Sequence, residues 1–353
     1  MDYKKELDEL VSIVVKEGAS DLHISEGRNP TIRSAGYLIP MVKRSIYSRE
    51  DTYGIIDELL SEENKGILNK KREVDFAYMH IGRARFRGNA YFQQGNISVA
   101  LRLVPEKIKT IKELGMPPIL ESIAHKTQGF FLVVGPTGQG KSTTLASMIE
   151  LINTERMEHI ITIEDPVEYV YKQKKCIIDQ REIRSDTPDF YVALRGVFRQ
   201  DVDVVMIGEM REPETISTAV TAAETGHFVL STLHTNSAAQ TIDRIIDSFP
   251  GQQQNQIKLQ LAGSLIGILS QRLIPKISGG LVPAIELLLS NNAVANLIRE
   301  GRTHEINTVI QTSSDMGMID LNRSLAELVR NGDITIENAF LHSQNPKVLE
   351  RMI

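Results

Sequence analysis

"FFLVVGPTGQGKSTT", residues 130–144, joins an apolar run to a glycine-rich turn and then to a helix-forming segment. The apolar run reads as a short strand buried on both faces. The turn matches the spacing G-x-x-x-x-G-K-[ST] over residues 135–142, and it stands where that spacing has meaning, after a strand and before a helix. Gly135, Gly138 and Gly140 let the backbone curl until successive N–H groups point inward, forming an anion nest at a helix N-terminus. Pro136, Thr137, Gln139 and Thr143 complete this phosphate cradle. Lys141 then reaches the β- and γ-phosphates of ATP, and Ser142 sets its hydroxyl on Mg2+. Gln139 sits among the glycines with a side chain free to point to solvent, and no role is assigned to that side chain.

From Gly129 onward, short all-apolar strands alternate with helices: "FFLVVG", a helix from Lys141 to about Ile152, "HIITIED", "DVVMIGE", a helix near 212–225, then "HFVLSTLH". This order predicts an α/β domain built on a parallel sheet covered on both faces. Residues 252–353 read as mostly helical, with Asn291 as an N-cap and Gly301 and Gly332 as helix stops. Residues 1–105 instead mix strand-like runs, "DLHISEG", "FRGNAYFQ" and "ISVALRLVP", with one or two helices, an α+β pattern. Between them "PEKIKTIKELGMPP" places prolines at 105, 117 and 118 around charged residues, so 106–118 is the expected linker and 119–353 the second domain.

A length of 353 residues with 41% hydrophobic content suits two domains with real cores. The net charge of −5, from 40 basic and 45 acidic residues, exerts no global pull on nucleic acid. Cys176 is the single cysteine, which excludes an intramolecular disulfide and a cysteine-based zinc site and suits a reducing, cytoplasmic compartment. Near the start, Leu7, Leu10, Val11, Val14 and Val15 recur at helical spacing among charges, so the segment reads as neither signal peptide nor membrane span. No window of about 18 apolar residues occurs, and membrane contact is expected only through a partner or a peripheral surface.

Carboxylates at strand ends are the candidates for hydrolysis. "VVMIGE", residues 204–209, ends where ligands gather in open α/β sheets. The slot usually held by a magnesium-organising aspartate is Gly208, so Glu209 is the candidate to polarise the attacking water. In "IITIEDPVEYV", Glu164 and Asp165 point to opposite faces, and Glu164 is the one expected toward the phosphates. His227 and His234 bracket one apolar strand. Seven steps at ~3.3 Å put them roughly 23 Å apart and on opposite faces, so one metal does not bind both. His234 ends the strand at the ligand edge, within reach of the γ-phosphate or Glu209, whereas His227 begins it at the far edge, where geometry favours a structural role.

In "GRARFRGN", residues 82–89, Arg83, Arg85 and Arg87 recur at period two. A solvated strand face is one reading; arginine fingers that spread transition-state charge across a subunit interface are the other, and they require a ring. A nucleic-acid-translocating motor has little besides this strand behind it, with only Phe86, Tyr91 and Phe92 as stacking residues.

Taken together, the cradle "GPTGQGKSTT", the acidic box "ITIEDPVEY", the strand "VVMIGEMREPETI" and the histidine box "TAAETGHFVLSTLHTNSAAQTIDRIID" closely resemble the type IV pilus retraction ATPases, the PilT family, within the wider secretion ATPases. The early "GASDLHI", the late "NLIREGRTHEI" and "IQTSSDMGM" match too. The resemblance implies a PAS-like N-terminal domain and a RecA-like P-loop ATPase domain, assembled as a cytoplasmic homohexamer on the cytoplasmic face of the inner membrane. There it would act on the pilus platform protein and pilus machinery to drive retraction and twitching motility, without nucleic acid. It makes Glu209 the catalytic glutamate, puts Glu164 in the acidic box and both His227 and His234 in the histidine box, and offers Arg85, Arg87 or Arg102 as the finger. Two departures stand out: Gln139 replaces the usual serine, and Ala295 stands where retraction ATPases commonly carry arginine. Secretion and pilus-extension ATPases remain the alternative, although they usually carry a longer N-terminal region and a tetracysteine zinc insert.

Overall fold

A computed structural model of the chain describes residues 2–34, 36–80, 84–105 and 107–353, and the chain divides into two compact units. Unit 1 comprises 1–107 with 168–170, and unit 2 comprises 108–167 with 171–353. Arg83, the first of the period-two arginines, lies outside the described residues.

Unit 1 runs α1 (Tyr3–Lys16), β1 (Asp21–Ser25), β2 (Thr31–Ser34), β3 (Tyr37–Pro40), α2 (Arg49–Leu59), α3 (Glu62–Lys71), β4 (Glu73–His80), β5 (Ala84–Gln93) and β6 (Asn96–Val104). It is an α+β, PAS-like unit with one antiparallel six-stranded sheet of order β3-β2-β1-β6-β5-β4. The periodicity of α1 buries Leu7, Leu10, Val11 and Val14, while Val15 turns out to solvent at 39% exposure. These residues pack with Leu22, Ile24, Phe86, Val99 and Leu101 from the sheet.

Unit 2 runs α4 (Ile119–Ala124), β7 (Gly129–Val134), α5 (Lys141–Glu155), β8 (His159–Glu164), β9 (Ile177–Glu182), α6 (Phe190–Val197), β10 (Val204–Ile207), α7 (Pro213–Glu224), β11 (Phe228–Leu233), α8 (Ala238–Asp247) and α9 (Gly251–Ser264). It continues with β12 (Leu265–Pro275), β13 (Leu281–Leu289), α10 (Asn292–Glu300), α11 (Ile306–Thr312), α12 (Leu321–Arg330), α13 (Ile336–His342) and α14 (Pro346–Glu350). Its seven-stranded sheet has the order β13-β12-β7-β11-β10-β8-β9. All pairings are parallel except β12 with β13. Every residue of β7, β10 and β11 is buried, as expected of strands covered on both faces.

The expectation that 252–353 is mostly helical is corrected by β12 and β13. Helix α9 passes into β12 at Ser264 with no turn residue between them. Gly263 and Ser264 stand at the switch, but no loop separates helix from strand, so the change of period falls inside one mostly apolar stretch. Strand β9 also escaped the sequence reading. By contrast, Asn291 caps α10 through its side chain at 2.9 Å from Val294 N. Gly301 and Gly332, at φ 72° and 73°, follow their helices in the left-handed conformation.

The nucleotide cradle and its catalytic edge

The cradle opens directly from β7, and three of its glycines take the positive φ that other residues avoid: Gly135 at 148°, Gly138 at 78° and Gly140 at 79°. Lys141 begins α5 and is buried, its Nζ donating to the carbonyls of Gly135 and Pro136 at 2.9 Å each. Ser142 and Thr143 follow, half-buried, in the first turn. The side chain of Gln139 is not turned to solvent. Its Oε1 accepts a hydrogen bond from Leu273 N at 2.7 Å, because β12 runs alongside the loop.

Strand order explains the rest of the site. Strand β11 pairs with β7 on one side and β10 on the other, so the residues that leave their C-terminal ends converge. His234 follows β11 and stands between the lysine and the glutamate. Its Nδ1 lies 3.4 Å from Lys141 Nζ and 3.5 Å from Thr137 Oγ1, and its Nε2 lies 3.5 Å from Glu209 Oε2. Burial, and then the Lys141 charge, hold the imidazole pKa below its ordinary value, against the pull of Glu209. The ring is therefore neutral at pH 7. An ammonium facing Nδ1 requires a lone pair there, which places the proton on Nε2, aimed at Glu209.

Glu209 is also held by Arg211, whose Nη2 is 2.9 Å from Oε1. Sequence reading assigned Arg211 no role, although it stands two residues after the glutamate in "GEMREP".

Glu164 ends β8, buried, accepting from Thr162 Oγ1 at 2.6 Å and Gln180 Nε2 at 3.3 Å. Asp165, exposed, meets Arg184 at 3.5 Å instead. The glycine in the strand-end slot has a steric basis: a Cβ on Gly208 would stand 3.3 Å from the Ile163 carbonyl and 3.4 Å from Glu164 Cα. The neighbouring strand end thus occupies the space beside Gly208, and Glu164 is the carboxylate that lies there.

His227 precedes β11 at its opposite end. Its Nδ1 is 3.1 Å from the Ala222 carbonyl and its ring meets Phe198 edge-on at 5.5 Å. The six-residue strand keeps the two histidines apart.

In unit 1, Arg87 and Arg102 are direct cross-strand partners, and Arg85 opposes Val104. Arg102 is paired with Asp21 at 2.8 Å.

A strand, glycine cradle and helix, with a lysine, a neutral histidine and a strand-end glutamate gathered over a parallel sheet, define a RecA-like P-loop ATPase. The chain belongs to the family described as Type II/IV secretion system protein, which matches residues 3–351. It is 42% identical over 334 residues to the type IV pilus retraction ATPase PilT of Pseudomonas aeruginosa, covering 95% of this chain and 97% of that one. The type IV pilus ATPase PilU of the same organism is 38% identical over 349 residues, covering 99% and 91%. The crystal structure of the pilus retraction motor PilT with bound ADP superposes with a TM-score of 0.91 at 44% identity, over 98% of both chains.

Proposed function

We propose that the chain is a hexameric ATP-driven motor that retracts type IV pili, working at the cytoplasmic face of the inner membrane on the platform protein of the pilus machinery. The observation that carries the catalytic part of this reading is His234, set between Lys141 and Glu209 at 3.4 and 3.5 Å. Lys141 neutralises the β- and γ-phosphates, Glu209 draws the proton from the attacking water, and His234 links the two groups so that the glutamate registers the terminal phosphate. Beside the cradle, a cavity of about 200 Å³ combines the apolar side chains of Leu114, Met116, Leu273 and Pro283 with the polar ones of Lys109 and Glu113, a mixture suited to the base and ribose.

The residues present fit Mg2+. The Ser142 hydroxyl and Glu164 are hard oxygen donors. No group of three or more His, Cys, Asp or Glu side chains among the described residues is arranged to hold a metal alone. That donor set suits an ion shared with the nucleotide's phosphates, where it would screen developing charge.

Support for the pilus role comes from likeness along nearly the whole chain to PilT and PilU. A ring lets Arg85, Arg87 or Arg102 serve a neighbour's nucleotide, and it gives His227, at the edge opposite His234, a place facing the adjacent subunit. No helix among the described residues is long and apolar enough to cross a membrane, which suits attachment through the platform. The test is a deletion strain complemented with Glu209→Ala: abundant pili without twitching support retraction, whereas loss of pili identifies an extension motor. Normal twitching with a verified inactive ATPase overturns the proposal.

A further inference from the structure

Two hydrogen bonds, both donated by β12 and both accepted by Gln139, join the phosphate cradle to that strand. Gln271 Nε2 donates to the Gln139 carbonyl at 2.7 Å, and Leu273 N donates to Gln139 Oε1 at 2.7 Å. The remaining end of the Gln271 amide, Oε1, accepts from Thr144 Oγ1 at 2.8 Å. A single buried amide therefore grips both the loop and the first turn of α5.

The approach is close enough to constrain the glycines. A Cβ on Gly135 would stand 2.5 Å from the Gln271 carbonyl oxygen, and one on Gly140 would stand 2.9 Å from Gln271 Nε2. These two glycines thus admit β12 as well as curl the loop.

Alternate residues of β12 face the other way. Ser270 Oγ donates to the Asn236 carbonyl at 3.1 Å, and Arg272 Nη2 reaches the same oxygen at 3.4 Å. Asn236 lies two residues beyond His234. One strand consequently holds the cradle with Gln271 and Leu273 and the histidine loop with Ser270 and Arg272.

We propose that Gln139 is a positioning residue which, with Gln271, fastens the cradle to β12 in its phosphate-binding shape, and that β12 sets the cradle and the His234 loop in one frame. The proposal rests on the cradle's binding the phosphates of ATP. A loop with several glycines has much conformational freedom to lose, and when only a fraction of loops are competent, affinity falls by that fraction. The fastening raises the fraction before nucleotide arrives and leaves the bound state unchanged.

The test uses the full chain with Gln139→Met, which keeps the side chain's bulk and removes its acceptor. Fluorescent ATP titration, steady-state hydrolysis and hydrogen exchange of peptides spanning residues 270–275 are the readouts. Binding weakens about fivefold, the effect of one lost hydrogen bond. KM rises in step, kcat moves less than about twofold, and exchange across Leu273 accelerates. Gln271→Met, which gives up its bonds to the Gln139 carbonyl and to Thr144 Oγ1, weakens binding at least as much, again through KM. Wild-type KM and exchange in Gln139→Met, or a fall confined to kcat, would each overturn the proposal. So would unfolding of both single variants, since a fastening of this size weakens binding without melting the domain. Lys141→Ala separates the underlying reading: undiminished ATP binding there overturns the cradle's role whatever Gln139 does.

Discussion

His234 Nε2 lies 3.5 Å from Glu209 Oε2, across the C-terminal ends of two neighbouring parallel strands. That separation is long for a hydrogen bond and close enough for a small shift of either loop to make one. It couples the base to the side of the site where Lys141 stands.

Removing the base tests the assignment directly. Glu209→Gln keeps the side chain's size and lowers kcat by about 100-fold or more, while ATP binding stays near the parent value. A single-turnover assay beside a binding titration distinguishes this from a binding defect.

The two histidines should separate in their phenotypes. His234→Ala lowers kcat about tenfold or more because it breaks the link between Lys141 and Glu209. His227→Ala disturbs the contacts with Ala222 and Phe198 and leaves the hydrolytic step of an isolated site intact. If His227 faces a neighbour, its substitution instead alters assembly or cooperativity, read by sedimentation and by the ATP dependence of the rate.

Filling the slot beside the base should be costly. Gly208→Ala forces a Cβ to 3.3 Å from the Ile163 carbonyl and 3.4 Å from Glu164 Cα. A loss of about 1 kcal/mol of stability is expected, with reduced kcat as the end of β10 shifts. Thermal unfolding and steady-state rates measure both.

Glu286 on β13 predicts a pH dependence. Burial pushes its carboxyl up to about 7, partly offset by the Ala238 N–H that donates to it at 2.7 Å. The folded state therefore binds a proton that the unfolded state has released between the ordinary carboxylate range and pH 7. Stability from this group falls as pH rises through that window. Glu286→Gln retains the acceptor for Ala238 and removes the charge, so it raises the unfolding temperature at pH 8 and has little effect at pH 5. The lowered pKa of His234 acts in the opposite sense, giving up stability as pH falls below 6.5. Relative to the parent, Glu286→Gln should gain in unfolding temperature toward pH 8 and His234→Ala toward pH 5.

Much of the fold and site is legible in the sequence because the signals are local. Glycine spacing dictates the shape of the loop at 135–140, and an all-apolar run ending in a carboxylate marks the ligand edge of a strand, as at Glu209. Strand periodicity alone keeps His227 from sharing a metal with His234. Strand order carries no such signal. Only the tertiary structure places β11 between β7 and β10 and so brings His234 between Lys141 and Glu209. The same holds for Gln139, whose partner Leu273 is 134 residues away along the chain, and for the β12–β13 hairpin, which follows a helix with no loop between. Contacts between distant segments depend on how separate elements pack, and no repeat within either segment records them.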